Sequence, residues 1–126
     1  MVGAPLWDIY DLIRVHDPKQ ISIAFDIMHA TAEGGLDWPI QWNLIQSHLG
    51  AVYVKDFTWQ DRKTKAAPLG TGQIDPGFFT LLKKMNYNGL ISMHVEYLER
   101  VKDKEKQREA FKGDLMKLRN FLAAKS

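Results

Sequence analysis

Residues 21–30 read ISIAFDIMHA, an aliphatic and aromatic run that ends on an aspartate and, three residues later, a histidine. The first half has the β-branched and aromatic make-up of a strand. Side chains alternate faces along a strand, so Ile21, Ile23 and Phe25 point one way while Ser22, Ala24 and Asp26 point the other. Two more stretches repeat this plan. In AVYVKDF, residues 51–57, Val52 and Val54 oppose Tyr53 and Lys55; in LISMHVE, residues 90–96, Ile91, Met93 and Val95 oppose Ser92, His94 and Glu96. One face of each run is aliphatic. The other is small or polar and becomes more polar toward the carboxyl end.

Helical patterns fill the intervals. Leu6, Ile9, Tyr10 and Ile13 recur at helical spacing, predicting an amphipathic helix near residues 5–15 that Asp17-Pro18 terminates. Asp37 ahead of Trp38-Pro39 reads as a capped start, and Ile40, Leu44, Ile45 and Leu49 carry that helix to Gly50 as C-cap. A polar loop is expected from Thr58 to Thr71, followed by Gly72 and a second start at Asp75-Pro76, with Phe78, Leu81, Leu82 and Met85 as its buried stripe. Asn88-Gly89 turns the chain into the third strand. A last long helix carries Phe111, Leu115, Leu118 and Leu122 on one stripe. Helices alternating with strands imply parallel strands joined by right-handed crossovers.

The two faces decide which parallel architecture. A doubly wound sheet, covered by helices on both sides, is apolar on both. A (β/α)8 barrel carries its reactive groups at the carboxyl ends of its strands, where the lumen opens. The polar ends seen here fit the barrel. Such a barrel needs about 250 residues, whereas this chain has 126. The expectation is therefore a single partial TIM-barrel domain over residues 1–126, comprising about three βα units from the C-terminal part of the barrel.

Composition narrows the function classes. The chain is 45% hydrophobic and 25% charged, ordinary globular values, with a net charge of +2. That balance gives no general pull toward nucleic acid or membrane. The basic stretch from Arg100 to Arg119 is interleaved with Asp103, Glu105, Glu109 and Asp114 and reads as a solvated helix face. The absence of cysteine removes disulfides and thiolate chemistry. No run approaches the ~18 apolar residues of a membrane span, and no signal peptide follows Met1, so a cytoplasmic setting is expected.

Asp26, Lys55, His94 and Glu96 are the polar residues at the three strand ends, with His29 in the loop after the first. Carboxylates and imidazoles meeting at one mouth can hold a divalent ion such as Mn²⁺, Mg²⁺, Co²⁺ or Zn²⁺, which would polarise a carbonyl beside a proton-transfer group. Each residue also has an ordinary structural use. An aspartate after a strand caps helices, a lysine snorkels, and a core histidine satisfies a hydrogen bond.

Four motifs, FDIMHA, LGAVYVKDF, PLGTGQID and YNGLISMHVEY, occur in the order found near the C-terminus of the sugar phosphate isomerase/epimerase superfamily. From about residue 5 to 122, the chain resembles the last three strands of these xylose-isomerase-like barrels. The resemblance implies that Asp26 is a metal ligand and that His29 touches substrate. It makes Lys55, of the Lys55-Asp56 pair, a holder of an anionic or hydroxyl-rich substrate. His94 falls where the family has a glutamate that is both ligand and base, and Glu96 lies one lumen residue further on. Tyr53 stands where the family places a ligating histidine, and a further glutamate ligand belongs to an earlier strand. PLGTGQID looks like the family's LGxGxxD loop, capped by Asp75. Trp59 is an apolar wall for a sugar ring or a cover for the barrel rim.

The implied activity is metal-assisted isomerisation or epimerisation of a sugar or sugar phosphate, by proton abstraction next to a carbonyl. His94 and Glu96 are its candidate catalytic residues, Asp26 and His94 its metal ligands, and His29, Lys55 and Trp59 its substrate contacts. The small-molecule partner is a sugar or polyol. A lyase dehydrating inositol-derived ketones uses the same architecture. A trinuclear zinc endonuclease needs histidines where Arg62, Lys63 and Thr64 stand. A third reading is an inactive barrel fragment that pairs with itself or with a missing N-terminal half.

Overall fold

The computed structural model describes residues 5–123. It is a mixed α/β structure with two compact units, one holding residues up to Val54 together with Gly89–Ser92, the other Lys55–Asn88 and the residues from Met93 onward.

In the first unit, α1 (Leu6–Ile13) leads to β1 (Ile23–Asp26), and two helices, α2 (Ile27–Gly34) and α3 (Trp38–Ile45), separate β1 from β2 (Leu49–Val54). β1 and β2 pair in parallel with Phe25 opposite Val52 and Asp26 opposite Tyr53. β5 (Leu90–Met93) completes a three-stranded sheet in the order β1-β2-β5. Phe25, Ile27, Trp42, Ile45, Val52 and Val54 form the fully buried core, with the Phe25 ring edge-on to Trp42 at 5.0 Å. β5 is less differentiated than its sequence predicts, because Ile91 to Met93 are only half-buried and Leu90 is exposed.

α1 packs against α3. Buried His48 ties the end of that layer to the segment after α1. Its Nε2 lies 3.1 Å from the His16 carbonyl, which can only accept, so Nε2 carries the proton and Nδ1 accepts from Ser47 Oγ at 3.0 Å.

The segment after β1 is not a loop. Asp26 caps α2, its Oδ1 accepting from the backbone N–H of Met28 at 3.0 Å and of His29 at 3.3 Å. Gly50 is likewise not a helix cap. α3 ends at Ile45, a 3-10 turn covers Gln46–His48, and Gly50 lies in β2. A side chain at Gly50 would collide with Ser22, so glycine is required there by close approach. Asp37 lies in a 3-10 turn and makes no side-chain cap for α3.

In the second unit the expected polar loop from Thr58 is largely a hairpin. β3 (Asp56–Gln60) pairs antiparallel with β4 (Lys63–Ala67) around Asp61-Arg62, where Asp61 takes a φ of 56°. Thr58, Lys63 and Lys65 are polar residues within these strands, and their period-2 signal is diluted by the charge. α4 (Gly77–Lys84) buries Phe78, Phe79 and Leu82, whereas Leu81 is half-buried and Met85 exposed. α5 (Lys104–Ala123) packs on α4, with Phe121 stacked on Phe79 at 4.7 Å. Of the expected α5 stripe only Leu118 is buried, and Phe111 is exposed. Asp114, assigned by its charge to the solvated face, is buried instead. No helix among the described residues is long and apolar enough to cross a membrane.

Candidate functional site

The predicted residues fall into two groups, one in each unit. In the first unit, Asp26 and Tyr53 are cross-strand neighbours at the carboxyl ends of β1 and β2. Asp26 is buried and is already committed to α2 through Oδ1. His29 lies in the first turn of α2, not in a loop, and its Nε2 is 3.9 Å from Asp26 Oδ2. Its Nδ1 is 3.4 Å from Glu33 Oε1. Glu33 was invisible to sequence reading because its i,i+4 relation to His29 has meaning only once residues 27–34 are helical.

In the second unit, Lys55 directly follows β2, while His94 and Glu96 follow the end of β5 at Met93. The third strand thus stops short of its expected length, and Glu96 opens the 3-10 turn Glu96–Leu98. Lys55 is 7% exposed, and its Nζ donates to Glu96 Oε1 at 2.8 Å. The same oxygen lies 4.0 Å from His94 Nδ1. One carboxylate oxygen therefore faces a nearly buried ammonium and an imidazole. Trp59 lies on β3, half-exposed, edge-on to the buried Phe57 ring at 5.2 Å.

Asp56, the other half of the Lys-Asp pair, has a structural task. It is buried, and its carboxylate accepts from the backbone N–H groups of Phe57, Gly70, Gly72 and Ile74 at 2.8 to 3.2 Å. It thereby fixes the PLGTGQID loop. Gly72 passes so close to Asp56 and the Phe57 carbonyl that a side chain there would collide with both. Asp75 accepts from Gly77 N–H at 2.7 Å, at the start of α4.

Asp114 is a second buried organiser. It accepts from Leu69 N–H at 3.2 Å and from Tyr97 Oη at 2.9 Å, linking α5 to the loop and to the turn that carries Glu96. Burial, then the hydrogen bond to Asp114 and its negative charge, push the Tyr97 phenol well above the usual range. Neither Asp56 nor Asp114 carries a local motif announcing these roles, since all their partners except Phe57, next to Asp56, lie 14 or more residues away in sequence.

Among the described residues, no three histidine, aspartate or glutamate side chains are close enough together to hold a metal ion by themselves.

Compared with known families, the sequence matches the xylose isomerase-like TIM barrel over residues 1–120. The comparison with curated proteins gives no match.

Proposed function

The chain belongs to the xylose isomerase-like TIM barrel family, and on that premise we propose that it is the C-terminal part, about three βα units, of a sugar or sugar-phosphate isomerase or epimerase. The observation that carries this reading is the Lys55–Glu96 contact of 2.8 Å, with His94 Nδ1 4.0 Å from the same oxygen. Moving a proton between neighbouring atoms of a polyol requires a base and a group that stabilises the negative charge left on oxygen. Glu96 takes the proton from the carbon beside the carbonyl and returns it to the neighbouring atom or to the opposite face. Lys55 holds Glu96 in place and offers positive charge to the enediolate oxygen. His94, beside the same carboxylate, passes protons between the oxygens. In the same unit Trp59 offers the substrate an apolar wall; in the first unit His29, bracketed by Asp26 and Glu33, is a separate candidate contact for hydroxyls.

A divalent ion, when bound, would polarise the carbonyl. Asp26, at the end of β1, is the residue of the first unit that would contribute to holding it.

The reading is tested by incubating the complete barrel that contains this segment with ketoses, aldoses and their phosphates in deuterated water. Proton NMR should show interconversion with deuterium incorporated at the carbon next to the carbonyl. Loss of a hydroxyl with formation of a new ketone would instead indicate dehydration, and no exchange with any sugar would remove the isomerase reading.

A further inference from the structure

The β3–β4 hairpin forms one wall of a cleft of about 520 Å³, and the turn carrying Glu96 forms the other. That size lies within the ~300–1,000 Å³ of small-molecule sites. Lys63 and Lys65, two apart on β4, share one face of the strand and line the cleft, and Arg100 lines it beyond the Glu96–Leu98 turn. None of the three has a carboxylate within ion-pair distance among the described residues. Two carboxylates, Asp61 and Glu99, also line the cleft. The remaining one, Glu96, is held by Lys55 at 2.8 Å. The lining thus carries three cations and three carboxylates, and with Lys55, which neutralises Glu96 without lining the cleft, the balance is one positive charge.

Tyr97 forms part of the same wall, and its hydroxyl is anchored on buried Asp114 at 2.9 Å, so this side of the cleft is braced. Glu96 belongs both to the Lys55–His94 cluster and to the cleft. A molecule reacting at the cluster would therefore reach into the cleft with its far end. We propose that this cleft binds the anionic group, phosphate or carboxylate, of a polyhydroxylated substrate, selecting charged sugars over neutral ones. The proposal rests on the isomerase reading for the identity of the sugar, but not for the binding itself.

The test is calorimetric titration of the full chain with a ketose, the same ketose carrying a terminal phosphate, and the corresponding sugar acid. At least one charged form should bind ~10-fold more tightly than the neutral sugar, the strength of about one well-made charged contact. The preferred form identifies the anion. The Lys63→Ser/Lys65→Ser double variant and Arg100→Ser should shrink that ratio toward one, and Lys65→Arg should keep it. These positions are exposed, which limits the effect on folding. Equal affinity for charged and neutral sugars, or a ratio untouched by the serine variants, would overturn the proposal. Tight binding of the charged sugar without deuterium exchange would uphold the cleft while the isomerase reading fell.

Discussion

The Lys55 ammonium donates to the Glu96 carboxylate at 2.8 Å although 41 residues separate them. Lys55 is nearly buried and Glu96 is half-exposed, so the two partners respond differently to removal. Glu96→Ala strips a nearly buried ammonium of its carboxylate and should cost about 2 kcal/mol in urea unfolding. Lys55→Met places an apolar chain of similar length in the same site and should cost less than about 1 kcal/mol. Both should abolish turnover. A pair serving stability alone would leave activity intact in the stable Lys55→Met variant.

Asp56 gives the largest stability prediction. Asp56→Ala leaves the buried N–H groups of Phe57 and Ile74, and the less buried ones of Gly70 and Gly72, without their acceptor. At ~1–3 kcal/mol for each unsatisfied group, with partial relaxation, the loss should be about 4 kcal/mol. Hydrogen exchange should show lost protection at the amides of residues 70, 72 and 74 before the rest of the protein opens.

Two uses of Asp26 can be separated by substitution. Asparagine caps helices as well as aspartate does, whereas alanine forfeits about 1 kcal/mol. Asp26→Asn should therefore keep stability near wild type while activity falls, because the negative charge beside His29 is gone. Full activity in Asp26→Asn would reduce the residue to a cap for α2.

Tyr97 sets a dependence on alkaline pH. Its phenol is raised in the folded protein by burial and by Asp114, and Tyr87 is raised by burial. Above the ordinary phenol value of about 10, the unfolded chain releases these protons while the folded chain keeps them. The unfolded state then binds fewer protons, so stability is complete below about pH 10 and falls as pH rises further. Unfolding midpoints of Tyr97→Phe measured between pH 8 and 11 should decline less steeply than those of wild type.

The positions of the strands were legible because burial writes a simple signal. Phe25, Val52 and Val54 alternate with smaller or polar neighbours, and all three are fully buried. The barrel family was legible from its four motifs. What sequence did not reveal depends on partners far along the chain. The β3–β4 hairpin is charged at Lys63 and Lys65, which pair with Gln60 and Thr58, and its burial is confined to Asp56, Phe57 and Ala67 at the end away from the turn. α2 begins on the residue after β1, so one aspartate both ends a strand and caps a helix. Asp114 looked solvated because its partners, Leu69 and Tyr97, are 45 and 17 residues away. In the candidate site, the residue types at the strand ends were readable. That Lys55 bonds to Glu96, and His29 faces Glu33, required coordinates.

The central claim is that Glu96, steered by Lys55, carries the transferred proton. The decisive measurement is the rate of deuterium incorporation from solvent into the sugar by the complete barrel, compared between wild type and Glu96→Gln, whose amide keeps the shape but cannot act as the base. A loss of about 100-fold or more is expected for removal of a general base. Incorporation at the wild-type rate would contradict the account.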